Sequence, residues 1–207
     1  MPSKAFEELN TYVGNYFLRQ EPELKERFMH PHYAAMLEHM LFRAGIVIEN
    51  GNVQSALSEL FSGKKVIEIG CRSAGFLKLA REHGAKVIGT TSDKYFQKAK
   101  YNLDEESLRN VNAEDAYQHL SGLDPDYVIS VNLFDQKRAE SGNLNVTRAM
   151  ESLIAVAGKN TLFYIYPTFN SSKSVFPTNL RDYPVVGIQE QPKSLAAQKV
   201  FSFRKAR

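Results

Sequence analysis

The sequence predicts an α/β fold, a doubly wound and mostly parallel sheet of seven strands with an antiparallel last strand and an N-terminal helical cap. Strand and helix patterns alternate from residue 64 to about residue 165, which is typical of βαβ units. The strands in this stretch are almost wholly apolar, as expected of a parallel sheet that helices cover on both faces. The first 62 residues show only helical periodicity, so we expect a cap over residues 1–62 and a sheet domain over residues 63–207.

The cap is predicted from apolar side chains that recur at spacings of three and four, as on one face of a helix. Ser3 is placed to cap the first helix, and Gln20-Glu21-Pro22 interrupts the pattern. His30-Pro31-His32 is a second predicted interruption, because a residue before proline avoids helical geometry. The later cap helices are expected over 23–29, from Tyr33 to Gly45, and over 53–61.

The second part of the chain alternates between short apolar runs and amphipathic segments from Lys64 onward. Its last two apolar runs, 183–188 and 199–203, are expected to pair as antiparallel strands. The preceding strands are predicted over 66–69, 86–90, 108–111, 127–131 and 161–165, and the helices between them over 76–83, 93–101, 114–120 and 146–157.

Composition narrows the class of protein. The chain has 207 residues, with 26 lysines and arginines against 23 aspartates and glutamates, and a net charge of +3 does not indicate a nucleic-acid partner. The one cysteine, Cys71, excludes a disulfide scaffold and a zinc site built from several cysteines. There is no apolar run long enough to span a membrane and no apolar core of a secretory signal near the start. We therefore expect a cytoplasmic protein.

The most informative segment is the strand–loop–helix unit over 65–80. A strand delivers Glu68 at its carboxyl end, and a loop of small residues leads into a helix. Ligands of open α/β sheets bind outside the carboxyl ends of the strands. Gly70 and Gly75 permit a tight turn and a close approach of backbone to ligand, and the amides of a helix N-terminus favour a carboxylate or phosphate. The segment therefore predicts a ligand site at this edge.

This order of residues resembles the class I S-adenosylmethionine-dependent methyltransferase superfamily, which is Rossmann-like, over roughly residues 60–207. In that family a strand ends in an acidic residue and a loop of the form acid-x-Gly-x-Gly-x-Gly follows. Arg72 and Ala74 stand where the family usually has glycine. The positions that match or are compatible are Glu68, Gly70, Cys71, Ser73 and Gly75.

The resemblance continues along the chain. Thr91 stands at the usual place of the acid that holds the ribose hydroxyls, and Asp93 follows two residues later. Glu114 and Asp115 resemble the segment that contacts adenine, and Asn132 ends the fourth strand, which faces cofactor and substrate in the family. The resemblance therefore implies S-adenosylmethionine as cofactor, held by Glu68, Gly70, Cys71, Arg72, Ser73, Gly75, Thr91, Asp93, Glu114, Asp115 and Asn132.

Each of these residues also has a structural explanation that the sequence leaves open. Glu68 either organises the loop or meets the ammonium group of the cofactor, and Arg72 either pairs with the methionine carboxylate or fills the cofactor space. Asp93 is as well placed to cap a helix as to bind ribose. Cys71 is more typical of small packing than of a nucleophile. The remaining alternatives are turn, packing or capping roles for Gly70, Gly75, Asp115 and Asn132.

The cap carries aromatic and histidine side chains of its own. Tyr12, Tyr16, Tyr33 and His39 either line an acceptor pocket or form the core of the cap. His30, His32 and His39 do not complete a recognisable metal-binding motif, so no metal site is predicted.

Two functions follow from the resemblance. The first is methyl transfer from S-adenosylmethionine to a small-molecule acceptor, by direct displacement, with the acceptor above the strand ends and below the cap. Such a reaction depends on alignment and does not require an acid–base motif. The second is a non-catalytic binding or regulatory protein on the same scaffold, which the departures at Arg72, Ala74 and Thr91 favour. The apolar cap helices either cover a pocket or pair two chains as a homodimer.

Overall fold

The protein is described by a computed structural model that covers residues 3–20, 30–134, 139–166, 180–187 and 200–206. Its centre is a seven-stranded sheet in the order β3-β2-β1-β4-β5-β7-β6. The strands are β1 Lys65–Ile69, β2 Lys86–Thr91, β3 Leu108–Asn110, β4 Tyr127–Val131, β5 Leu162–Tyr166, β6 Val185–Gly187 and β7 Phe201–Lys205.

Helices cover both faces of this sheet. Short 3₁₀ turns precede β3 at Glu105–Ser107 and follow it at Ala113–Asp115. The helices that flank the sheet are α1 Lys4–Gln20, α2 His30–Ala44, α3 Val53–Phe61, α4 Gly75–Glu82, α5 Asp93–Ala99, α6 Ala116–Leu120 and α7 Val146–Val156.

The strand pairing confirms the predicted fold class. β1 is parallel to both of its neighbours, with Ile67 opposite Ile88 of β2 and Val128 of β4. The last strand of the chain, β7, lies antiparallel between β5 and β6, and Phe163 faces Phe203 across this pairing. The strand order reverses at β1, so the carboxyl ends of β1 and its neighbours open onto a common crevice.

Two apolar layers hold the sheet between its helices. Val66 and Ile129 pack with the helices α1 to α5, whereas Ile67 and Val128 pack with α6 and α7. This division follows from the alternation of side chains along a strand. At about 25 cal/mol per Å² of apolar area removed from water, two such layers supply most of the stabilisation of a domain this size.

The N-terminal helices share the first of these layers with the sheet. Leu9, Leu37 and Leu57 are fully buried in the same cluster as Val66 of β1. Helix α2 is buried along almost its whole length, from His32 to Leu41, as expected of a helix with apolar residues on most of its circumference. The division of the chain at residue 62 stays a prediction.

One predicted element boundary in the cap is wrong. The sequence suggested an interruption at His30-Pro31-His32 and a helix from Tyr33, whereas α2 begins at His30. Pro31 fits because the first turn of a helix does not use the missing N–H for an internal bond. The helix predicted over 23–29 lies outside the described residues. Among the helices described, none has both the length and the apolar character needed to cross a bilayer.

Candidate functional site

A cavity of about 490 Å³ opens at the carboxyl edge of the sheet, where the ends of β1, β2, β3 and β4 come together. This volume lies within the usual range for a small-molecule site. The described residues that line it are Gly70, Arg72, Thr91, Ser92, Lys94, Tyr95, Val111, Asn112, Ala113, Leu133 and Asn143.

The loop after β1 forms one wall of the cavity and is anchored to β2. The amide of Gly70 donates to the carbonyl oxygen of Thr90 at 3.0 Å and to its Oγ1 at 3.2 Å. The amide of Cys71 donates to the same carbonyl oxygen at 2.8 Å. Gly70 has φ +80°, a left-handed conformation that glycine adopts without steric cost. The loop therefore turns sharply at the first glycine, as the sequence predicts.

Two further left-handed residues shape this loop, and neither is glycine. Arg72 has φ +52° and Ala74, which precedes α4, has φ +62°. For residues with a Cβ this conformation costs about 1 kcal/mol or more each. The backbone thus keeps the path that glycine favours, although the side chains have changed. Arg72 is half-buried and lines the cavity, whereas Ala74 is fully buried.

Cys71 packs against β2. Its side chain is buried, and a Cβ added to Gly89 of β2 would lie 2.6 Å from its Sγ. The thiol therefore occupies the space above that glycine. Ser73 is buried as well, and its carbonyl oxygen accepts from Nδ2 of Asn102 at 2.8 Å. Gly75 is the buried first residue of α4.

The end of β2 brings hydroxyl groups to the cavity. Thr91 and Ser92 both line it, and Ser92 is the N-cap residue of α5, although its side chain makes no capping hydrogen bond. The alternative in which Asp93 caps this helix is therefore wrong. Asp93 is exposed in the first turn of α5, where its Oδ1 accepts from Nδ2 of Asn110. It is not among the described residues that line the cavity.

The acidic pair after β3 is directed to helix α7. Oε1 of Glu114 accepts from the amide of Asn145 at 2.9 Å, and Asp115 forms an ion pair with Arg148. Their neighbour Ala113 lines the cavity in their place. A carboxylate at the start of the α7 segment satisfies an N–H that precedes the helix, which is a structural role.

Glu68 lies on the face of the sheet that α2 covers. It is fully buried, and the hydroxyl of Tyr33 donates to its Oε1 at 3.0 Å. The ring of Tyr33 stacks on Phe76 of α4, with 4.9 Å between the centroids. Glu68 is thus beside the loop and beneath α2, and it does not appear in the described lining of the cavity.

Asn132 joins β4 to the N-terminal helices. It is left-handed, with φ +54°, and its amide donates to the carbonyl oxygen of Tyr166 at 2.8 Å. Its Nδ2 lies 3.0 Å from Nδ1 of His32 in α2, and the imidazole stacks on the ring of Tyr166 with 4.5 Å between centroids. Burial raises the pKa of the Tyr166 phenol, which is therefore protonated at neutral pH. Sequence reasoning missed this grouping, because no periodicity relates α2 to β4.

The aromatic side chains of the cap lie mainly in contacts with the sheet domain. Besides Tyr33, His39 is fully buried and its Nε2 lies 2.9 Å from Oγ of Ser202 in β7. The hydroxyl of Tyr12 lies 3.1 Å from Nε2 of His83, at the end of α4. These contacts attach the cap to the sheet domain. No group of three or more His, Cys, Asp or Glu side chains in the described ranges is placed to hold a metal ion.

Three of the predicted site residues therefore line the cavity: Gly70, Arg72 and Thr91. Glu68, Cys71, Ser73 and Gly75 lie in or beside the loop that shapes it. The lining residues that the sequence did not single out are Ser92, Lys94, Tyr95, Val111, Asn112, Ala113, Leu133 and Asn143. Their signal is their place directly after a predicted strand, which most of them share.

No protein-family model and no curated protein sequence matches the chain. Solved structures do match it. A chain described as an S-adenosylmethionine-dependent methyltransferase from Listeria monocytogenes has a TM-score of 0.50 and 13% identity, over 71% of this chain and 93% of that chain. Magnesium protoporphyrin IX methyltransferase from Synechocystis PCC 6803, with S-adenosylmethionine bound, has a TM-score of 0.50 and 14% identity, over 97% and 96% of the two chains.

A third match is a mutant of MtNAS in complex with S-adenosylmethionine. It has a TM-score of 0.51 and 13% identity, over 98% of this chain and 76% of that chain. At such identities the likeness concerns the fold, which agrees with the strand order and with the antiparallel β7. The protein has the class I, Rossmann-like fold of the S-adenosylmethionine-dependent methyltransferases.

Proposed function

We propose that the protein binds S-adenosylmethionine in the cavity at the carboxyl edge and transfers its methyl group to a small-molecule acceptor. The observation that carries this proposal is the position of the cavity. It lies between the loop after β1 and the ends of β2 and β3, at the point where the strand order reverses. Ligands of this class of sheet bind at that point.

The lining residues fit the parts of the cofactor. Val111, Ala113 and Leu133 offer an apolar surface for adenine. The hydroxyls of Thr91 and Ser92 can donate to or accept from the ribose hydroxyls. The guanidinium of Arg72, on the loop after β1, is suited to the methionine carboxylate.

The bound cofactor would supply a methyl group activated by its sulfonium. The residues of this chain would supply orientation and exclusion of water, and alignment alone can lower a barrier by about 7–11 kcal/mol when the reacting atoms are well placed. Asn132 adjoins the lining residue Leu133, and its contact with His32 fixes the carboxamide. We place the acceptor over this pair, between the strand ends and α2.

The departures from the family pattern do not by themselves favour a non-catalytic protein. Arg72 and Ala74 keep left-handed backbone, so the loop retains its turn without glycine at those positions. A protein that binds the cofactor without turnover stays an outcome of the experiment below. We also propose a cytoplasmic location, where a single free thiol such as Cys71 is usual.

Calorimetric titration with S-adenosylmethionine and S-adenosylhomocysteine tests this proposal. We expect saturable binding at micromolar ligand. Ser92→Tyr should abolish it, because the ring would enter the cavity while the lost hydroxyl makes no capping bond to α5. Ser121→Tyr is the matched control, since Ser121 is exposed at the end of α6 and outside the cavity lining. No binding of either ligand at millimolar concentration would overturn the proposal.

A further inference from the structure

The charges around the cavity are unusual for a site that binds a sulfonium. Arg72 and Lys94 line the cavity, and within the described lining there is no aspartate or glutamate. A small cavity whose charged side chains are all cationic attracts anions and disfavours cations. S-adenosylmethionine itself has two positive groups, the sulfonium and the ammonium, and only one carboxylate.

The nearby carboxylates accept hydrogen bonds or ion pairs from other groups. Asp93 accepts from Asn110, Glu114 accepts from the backbone of the α7 segment, and Asp115 pairs with Arg148. None of these three belongs to the described lining. Their engagement leaves the positive charges on the wall without an acidic neighbour in the lining itself.

The end of β2 offers several donors suited to phosphate oxygens. Thr91 and Ser92 contribute hydroxyls, and the ammonium of Lys94 lies 5.4 Å from the centroid of the Tyr95 ring, which is itself part of the wall. Charge-assisted hydrogen bonds from an ammonium to a phosphate are about twice as strong as neutral ones. A phosphate close to these groups would gain both charge and hydrogen-bond complementarity.

The size and apolar part of the cavity indicate that the anion is part of a larger ligand. A volume of about 490 Å³ is far more than a phosphate ion fills, and Val111, Ala113 and Leu133 form an apolar wall. We propose that the cavity binds adenosine nucleotides with a phosphate on the ribose, in competition with S-adenosylmethionine. This inference rests on the proposed function for the placement of adenosine, and its charge argument is independent of methyl transfer.

Calorimetry with adenosine, adenosine 2′-monophosphate and adenosine 5′-monophosphate tests this inference. At low ionic strength we expect at least one of the monophosphates to bind about tenfold tighter than adenosine, and we expect added salt to reduce that preference. In the Arg72→Gln, Lys94→Gln double variant the preference should fall to about twofold or less. Lys98→Gln is the control, because Lys98 is an exposed cation of the same helix outside the lining. Thermal melts verify that the variants are folded.

Titration of S-adenosylmethionine in the same series separates the two proposals. If S-adenosylmethionine saturates the site while both monophosphates bind no tighter than adenosine, the inference is wrong and the proposed function stands. If a monophosphate binds with the expected preference and S-adenosylmethionine does not bind, the proposed function is wrong and the inference stands. A preference that persists in the double variant would also overturn the inference, because the phosphate would then lie elsewhere.

Discussion

Individual residues at the carboxyl edge of the sheet adopt backbone conformations that their side chains disfavour. Arg72, Ala74 and Asn132 have φ between +52° and +62°. Such conformations persist only where the surrounding structure holds them, and they concentrate at ligand sites. Here they shape the loop after β1 and the turn after β4, which border the cavity and the His32–Asn132 contact.

This conformation predicts that Arg72→Gly raises the free energy of unfolding by about 0.5 kcal/mol, because glycine adopts φ +52° without steric cost. Urea unfolding measures the change. Lys98→Gly is the control, since Lys98 lies in helix α5 and glycine there should lower stability by about 1 kcal/mol. A loss for Arg72→Gly as large as the loss for the control would contradict the conformational explanation.

The packing of Cys71 gives a second prediction at this scale. Gly89→Ala should lower the free energy of unfolding by about 1–3 kcal/mol, because the new methyl group would lie 2.6 Å from Sγ of Cys71 and 2.7 Å from Cδ1 of Leu77. Adding Cys71→Ala should recover part of the loss. Gly187→Ala is the control, since nothing lies within 4 Å of a Cβ there. Denaturant unfolding of the four variants gives the coupling, and additive effects would exclude a direct contact.

At the scale of elements, His83 connects three helices. It follows α4, its Nε2 lies 3.1 Å from the hydroxyl of Tyr12 in α1, and its Nδ1 lies 3.0 Å from Oγ of Ser58 in α3. Burial lowers the pKa of His83 from its ordinary value of 6.5, and the neighbouring Glu82 opposes this effect. The neutral imidazole, with one donor and one acceptor nitrogen, is therefore the form that the folded protein favours.

The lowered pKa predicts a pH dependence of stability. The contribution of His83 is fully present above pH 6.5 and is lost as the pH falls through the lower pKa of the folded state, because the unfolded chain takes up the proton more readily. Urea unfolding at pH 7.5 and pH 5 should show a smaller loss for His83→Gln than for the wild type. The exposed His119→Gln should behave like the wild type. Equal pH dependence in all three proteins would contradict the proposed role.

At the scale of the whole molecule, the sheet could be predicted because its strands are short, apolar and separated by amphipathic segments. The confirmed strand order and the antiparallel β7 follow from that alternation and from the resemblance to a known family. The prediction at Pro31 was wrong because burial of α2 against the sheet favours a helix that starts earlier. Local preference against helix before proline is small compared with such packing.

The site was predicted where backbone geometry determines it. Gly70, Arg72 and Thr91 line the cavity because strand ends and their loops meet at one edge. The directions of acidic side chains depend on partners distant in sequence. Glu68 faces Tyr33 of α2, and Glu114 faces the α7 segment, so neither direction could be predicted from local pattern.

The most direct test of S-adenosyl binding at this edge is a crystal structure of the protein with S-adenosylhomocysteine. We expect the ligand between the Gly70 loop and the end of β2, with its ribose near Thr91 and Ser92 and its adenine against Val111 and Ala113. Ligand bound at another part of the molecule, or a cavity that stays empty at millimolar ligand, would contradict the assignment of this cavity to the cofactor.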